Sequence, residues 1–227
     1  MSSKPDRLVQ IPLALPLKAG VSRDDLIESA SNRLAVDLVD HWPHWPSNMV
    51  MLAGPVGSGK SHVAAVWAQT ADAVILPMQA LDDEFALSFE GNVVLEDASA
   101  GAVPEEPMFH LLNRSRAGGY FMMITSSEFP AAWGIGLPDL ASRLKLAHLV
   151  ELGEPDDELL TAIIFKLFAD RQMQISPQLA RYLVMRMERS LGAANALVDW
   201  MDREALSRKI KVNRKLAAEA LEAFGMV

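Results

Sequence analysis

The stretch MVMLAGPVGSGKSHVAAVWAQTA, residues 49–71, decides the fold. Within it GPVGSGKS, residues 54–61, fits G-x-x-x-x-G-K-[ST] at every fixed position. A Gly-rich turn with a chance lysine gives the same eight letters, but not an apolar strand before them and a helical pattern after. Gly54, Gly57 and Gly59 let the backbone wrap so that successive N–H groups point inward at phosphate. The helix that starts near Lys60 adds its positive end. Lys60 then reaches the β- and γ-phosphates, and the Ser61 hydroxyl ligates Mg²⁺. The intervening Pro55, Val56 and Ser58, and His62 just beyond, belong to the same expected nucleotide contact.

Working outward, five apolar runs have the length of buried strands: NMVMLAG (48–54), AVILPM (73–78), NVVLED (92–97), YFMMITSS (120–127) and HLVELG (148–153). Helix-like segments such as KSHVAAVWAQTA (60–71) and EEPMFHLLNRSRA (105–117) separate them. That alternation predicts a parallel five-stranded sheet covered on both faces. The segment 22–40 reads as helical in its second half, with Leu34, Val36, Leu38 and Val39 as apolar positions and Ser29 or Ser31 as cap. HWPHWP (41–46) ends it; its two histidines lack a third ligand, and a packed loop bordering the nucleotide is the expectation. After Pro155 the strands stop. Four segments of helical spacing follow up to Phe224, so a small all-α domain closes the chain.

The second catalytic element of a phosphate-loop protein is an acid at a strand end. NVVLED supplies Glu96 and Asp97. If the usual Asp-then-Glu order applies, it is inverted here: Glu96 takes the metal side with Ser61, and Asp97 the position that polarises the attacking water. The shorter Asp97 misplaces that water, and about 1 Å of misplacement can cost ~10²-fold, so binding without much intrinsic hydrolysis is expected. ITSS (124–127) ends the fourth strand, where ligands sit in such sheets, and Ser126 is the candidate γ-phosphate sensor. A Ser capping a loop fits the same letters.

Composition bounds the alternatives. Half of the 227 residues are apolar and the net charge is −8, a balance that argues against duplex DNA as main partner. No cysteine is present, which excludes disulfides and thiolate metal sites and fits a reducing cytosol. No apolar run reaches ~18 residues, and the start MSSKPDRLVQ lacks the basic-then-apolar order of a signal peptide. A cytoplasmic protein is expected.

Phosphate loop, acidic strand end, polar sensor and helical lid together resemble the AAA+ ATPases. GIGLPDLASRLKLAHLVEL (134–152) is similar to the segment that carries the arginine finger in DnaA-type replication initiators, and GLPDLASRL resembles the DnaA-related regulators of the Hda type. DDLIESASNRLAVDLVDHWPHWP resembles the segment that leads into their phosphate loop. The resemblance implies three parts: a tail over 1–20, an α/β AAA+ base over 21–153 and an α-helical lid over 154–227. It implies that Arg143 points away from its own nucleotide and acts in trans on a neighbour's ATP; without it, an ion pair of Arg143 with Asp139 or Glu151 is the simpler reading. It implies ADP or ATP with Mg²⁺ as cofactors, and DnaA as partner. No DNA-binding domain follows the lid in these residues, so a regulator without sequence-specific DNA binding is expected rather than an initiator. Homodimerisation stays open.

The tail holds QIPLALPL (10–17), an odd choice for a segment facing water. Gln10, Leu13, Leu15, Pro16 and Leu17 resemble the short extended peptides that bind the bacterial DNA polymerase sliding clamp. Its prolines limit the free conformations and lower the cost of ordering. Packing as an edge strand on its own domain is the competing reading. One departure from the family concerns the lid. The arginine that AAA+ lids place over the γ-phosphate falls here on or near Gly192, with Arg189 three residues earlier as its only substitute. Two other function classes remain in view at this level: a remodeller or loader that works by its own hydrolysis cycle, and an interaction module with a decayed nucleotide site.

Overall fold

The computed structural model describes residues 22–226. The tail motif Gln10–Leu17 therefore lies outside the described residues. Five strands, β1 (Met49–Ala53), β2 (Val74–Pro77), β3 (Val93–Ala98), β4 (Met122–Ser126) and β5 (His148–Glu151), form one sheet in the order β2-β3-β4-β1-β5. Every pairing is parallel, with Met49 opposite Met122 and Ala53 opposite Ser126. Parallel strands need long crossovers, and here α1 (Arg33–Asp40), α2 (Lys60–Ala71), α3 (Asp83–Ser88), α4 (Glu105–Gly118) and α5 (Pro138–Leu144) lie between or ahead of them. The register brings the carboxyl ends of β1, β3 and β4 to one edge.

Strand alternation sorts the core into two layers. Val50, Leu52, Val94 and Met123 pack with Val36, Trp45 and Trp67. Met49, Met51, Leu95, Met122 and Ile124 pack on the other face with Met108, Leu111 and Leu140. The methionine-rich strands are thus core. The two edge strands depart from the fully buried reading: Val74 and Ile75 of β2, and Leu149 of β5, are exposed, because an edge strand has a neighbour on one side only. In α1, Val36, Leu38 and Val39 are buried but Leu34 faces outward. Neither Ser29 nor Ser31 caps it; Asn32 is the cap residue and its Oδ1 accepts from the Ser29 amide.

HWPHWP lies at the opposite end of the sheet from the phosphate loop, which corrects the expectation that it borders the nucleotide. It precedes β1, so it sits by the amino ends of the strands, where Trp45 packs on Trp67 (4.8 Å) and Trp42 meets Phe121 edge-on.

The second unit is a bundle of α6 (Asp157–Asp170), α7 (Pro177–Val184), α8 (Leu191–Arg208) and α9 (Arg214–Ala223). It has its own core around Phe168, Leu183, Leu197, Met201 and Leu216. Each helix starts on a capping side chain, Asp156, Ser176, Ser190 and Asn213, that accepts from a first-turn amide; such caps contribute roughly 1 kcal/mol each. Polar contacts around their junction, among them the following, tie this lid to the base. Asp156 accepts from the Ser31 amide (3.2 Å), Gly153 donates to the Ser31 carbonyl (3.0 Å), and Lys166 pairs with Asp25 (2.8 Å). Among the described residues no helix is long and apolar enough to cross a membrane.

Candidate nucleotide site

A cavity of about 410 Å³ opens at the carboxyl edge of the sheet. Its walls include Gly57, Gly59, Lys60, Ser61 and His62 of the loop after β1, Asp97 of β3, and Ser127 just past β4. Leu191 and Gly192 close it from the lid.

The glycines are required by close approach. A Cβ on Gly54 would stand 2.4 Å from the Leu152 carbonyl oxygen. Gly57 has φ +81°, and a Cβ there would stand 2.3 Å from Ser190 Oγ of the lid. The Leu191 amide donates to the Gly57 carbonyl at 3.0 Å, so the first turn of α8 sits directly on the loop. Lys60 is buried, and its ammonium donates to the Gly54 and Pro55 carbonyls, both at 2.8 Å. Burial pushes its pKa down while Asp97 opposes that shift. With two N–H groups on these carbonyls, the ammonium keeps its third N–H and its charge for an anion. The Ser58 hydroxyl is buried without a hydrogen-bond partner among the described residues, a further polar atom that suits a ligand.

The acidic pair divides differently from the sequence expectation. Between Leu95 and Ala98 the β3–β4 register shifts, so that three residues of β3 span two of β4, and Asp97 adopts φ +59°. This bulge holds the Asp97 amide on the Thr125 hydroxyl (3.1 Å) and leaves Asp97 on the cavity wall. Glu96 pairs with Pro77 of the edge strand and is not on that wall. Asp97 and Ser61 are then the residues present that suit Mg²⁺, completed by phosphate and water as that ion prefers.

Ser126 is fully buried, and its hydroxyl donates to the Ala98 carbonyl (2.6 Å) while accepting from the Trp133 indole and the Glu128 amide. It is spent on the fold. Its neighbour Ser127 is the exposed hydroxyl at the cavity, with Gln79 and Ser99 as further polar lining that the sequence reading missed. The only signal for Ser127 was its place in ITSS.

Among the described residues the lid offers this cavity no arginine. Gly192 occupies the wall, while Arg189 pairs with Asp157 at 2.7 Å, both side chains substantially solvent-exposed. Arg143 is not on this wall either. It is half-buried on α5 with its guanidinium over the Phe109 ring, 4.9 Å from the centroid. Among the described residues its ion pair with Asp139 or Glu151 is absent. The turn before α5 is held by Glu105, whose carboxylate accepts from the Gly136 (2.8 Å) and Leu137 (2.6 Å) amides.

Compared with solved structures, the chain superposes on domain III of the Thermotoga maritima replication initiation protein DnaA with a TM-score of 0.78, at 15% identity, covering 92% of this chain and 99% of that one. The chain has the AAA+ fold. AMPPCP-bound DnaA from Aquifex aeolicus matches at TM-score 0.69 and 18% identity, covering 85% of this chain and 70% of that one. A Thermotoga maritima RuvB variant matches at 0.73 and 15%, over 92% and 75%. An uncharacterised protein from Haemophilus influenzae is 26% identical over 168 residues, 67% of this chain and 72% of that one. No protein-family model matches the chain.

Proposed function

We propose that this protein is a nucleotide-bound regulator of replication initiation. It binds ADP or ATP with Mg²⁺ at the 410 Å³ cavity, docks on the sliding clamp through residues 10–17, and presents Arg143 to the ATP of DnaA. The observation that carries the nucleotide part is Lys60, buried against two carbonyls inside a loop whose glycines cannot bear side chains. The likeness to domain III of the replication initiation protein DnaA supports the partner.

The roles follow from chemistry. The loop amides and Lys60 bind the phosphates; Asp97 and Ser61 hold the metal; Ser127 faces the phosphate end. Among the described residues the wall carries a single carboxylate, and Gly192 in place of a lid arginine, a poor set for polarising a water. This supports a bound nucleotide that shapes the protein rather than one turned over, and disfavours a remodeller driven by its own hydrolysis. Arg143, in no ion pair among the described residues, keeps its planar fork for phosphate oxygens of a neighbour.

The test is binding to immobilised sliding clamp by surface resonance, with a Gln10→Ala/Leu13→Ala/Leu15→Ala variant beside the wild type. Binding by the wild type that the variant loses is the expected result. Absence of binding by both overturns the clamp-dependent part of the reading and leaves the nucleotide site standing.

A further inference from the structure

A second cavity, about 590 Å³, is on the lid and away from the phosphate loop. Its lining contains Arg181 and Arg186 from α7 and its C-terminal end, Arg214 at the start of α9, and no carboxylate. Tyr182 stands between two of these cations: the Arg186 guanidinium is 4.3 Å and that of Arg214 4.8 Å from its ring centroid. Ion pairs of the lid among the described residues are made by Lys166, Arg171, Arg189 and Arg208. Arg181, Arg186 and Arg214 take part in none of these, and all three are exposed.

The basic character continues past the cavity. SRKIKVNRK, residues 207–215, carries five cations and no acid, and its Val212, Asn213 and Arg214 form one wall. Lys209, Lys211 and Lys215 are exposed beside it. On a chain of net charge −8 this is a local reversal of sign. Clustering on one surface is how a basic patch differs from scattered solvated lysines. The cation–π contacts fix the stems of Arg186 and Arg214; Arg186 Nη1 donates to the Tyr182 carbonyl (3.5 Å) and the rest of its fork faces outward, which lowers the cost of ordering both on a ligand. A single small anion satisfies one guanidinium fork. A strip of cations on two elements, extended by lysines, suits charges repeated along a backbone.

We infer that this lid surface binds the phosphate backbone of nucleic acid, without reading sequence. Ser176 and Asn213 are occupied as helix caps, so charge rather than base-edge recognition dominates. Overall negative charge weakens long-range attraction, so the contact is short-ranged and works on nucleic acid already held close.

The test is fluorescence anisotropy of a labelled duplex of about 20 base pairs and arbitrary sequence, titrated with the full chain at several salt concentrations. Three phosphate contacts predict a slope of log K against log salt near −2.7, or about 40-fold weaker binding at 200 mM than at 50 mM. Arg181→Gln/Arg186→Gln/Arg214→Gln should weaken binding at least tenfold and flatten the slope; the three Arg→Lys replacements should retain most of both. Melting curves confirm that each variant folds. If the glutamine variant does not fold, Lys209→Gln/Lys211→Gln/Lys215→Gln, which alters exposed side chains only, should reduce the slope instead. Equal binding by wild type and folded variants overturns the proposal. Displacement of the duplex by poly-glutamate as effectively as by unlabelled duplex also overturns it, and assigns the surface to an acidic protein.

Discussion

Gly57 is where the lid touches the phosphate loop, and replacing it by alanine separates steric from conformational cost. Its φ of +81° is unfavourable for a residue with a Cβ, by roughly 1–2 kcal/mol. The new Cβ would also stand 2.3 Å from Ser190 Oγ and 2.6 Å from Ser190 Cβ, an overpacking that costs about 1–3 kcal/mol. The lid has its own core, so the clash moves α8 off the loop rather than unfolding the bundle. If nucleotide requires the closed arrangement, the steric part appears as a loss of affinity of about 5- to 150-fold. Ser190→Gly removes both clashing atoms, leaving Ser190 Cα at 3.2 Å, and as a cap replacement costs only a few tenths of a kcal/mol. Gly57→Ala/Ser190→Gly should therefore bind fluorescent ADP more tightly than Gly57→Ala alone, recovering the steric part but not the φ part. Affinities of the four proteins in this cycle, with melting temperatures as folding controls, decide it. A double variant that binds no better than Gly57→Ala refutes the coupling of lid to loop through this contact.

Lys60→Ala should weaken ADP binding about 10- to 100-fold, as loss of charged hydrogen bonds of ~1.5–3 kcal/mol implies, while leaving the nucleotide-free melting temperature within a few degrees; calorimetric titration and melting measure the two. Gly192→Arg places a guanidinium on the cavity wall and should raise the ATP-to-ADP affinity ratio about tenfold, the effect of one added charge-assisted contact, read from the two dissociation constants. Glu105→Ala frees the turn before α5 and should reduce stimulation of a partner's hydrolysis while leaving ADP affinity unchanged. The Lys166 ammonium, with the Ser22 bonds, holds the Asp25 carboxyl down at about 2. Its folded pKa lies below the unfolded one, so its stabilisation is present above the ordinary carboxylate range and is lost as pH falls through that range toward about 2. Lys166→Met should thus be less stable than wild type in urea at neutral pH, by a margin that shrinks as the pH approaches 2.

The strands, the phosphate loop and the four lid helices were legible because apolar runs and helical periods are local signals, and α3 was not because six residues carry no period. Within the site the misses are matters of one residue. Ser126 and Ser127 cannot be told apart until strand direction and the Ala98 carbonyl fix which hydroxyl is consumed. Glu96 and Asp97 are separated by a bulge that depends on Thr125 of another strand. The position of Arg143 over Phe109 joins α5 to α4 across the sequence and leaves no mark in either segment. HWPHWP is different in kind: its place before β1 already put it at the end of the sheet remote from the loop.

The most direct measurement is single-turnover hydrolysis of ATP bound to DnaA, with DNA-loaded sliding clamp, in the presence of wild type or Arg143→Ala. On the reading of Arg143 as a finger in trans, wild type accelerates hydrolysis and Arg143→Ala loses about 10³-fold or more of that acceleration, with its own ADP affinity intact. An Arg143→Ala protein that stimulates as well as wild type, or a wild type that stimulates nothing, contradicts it.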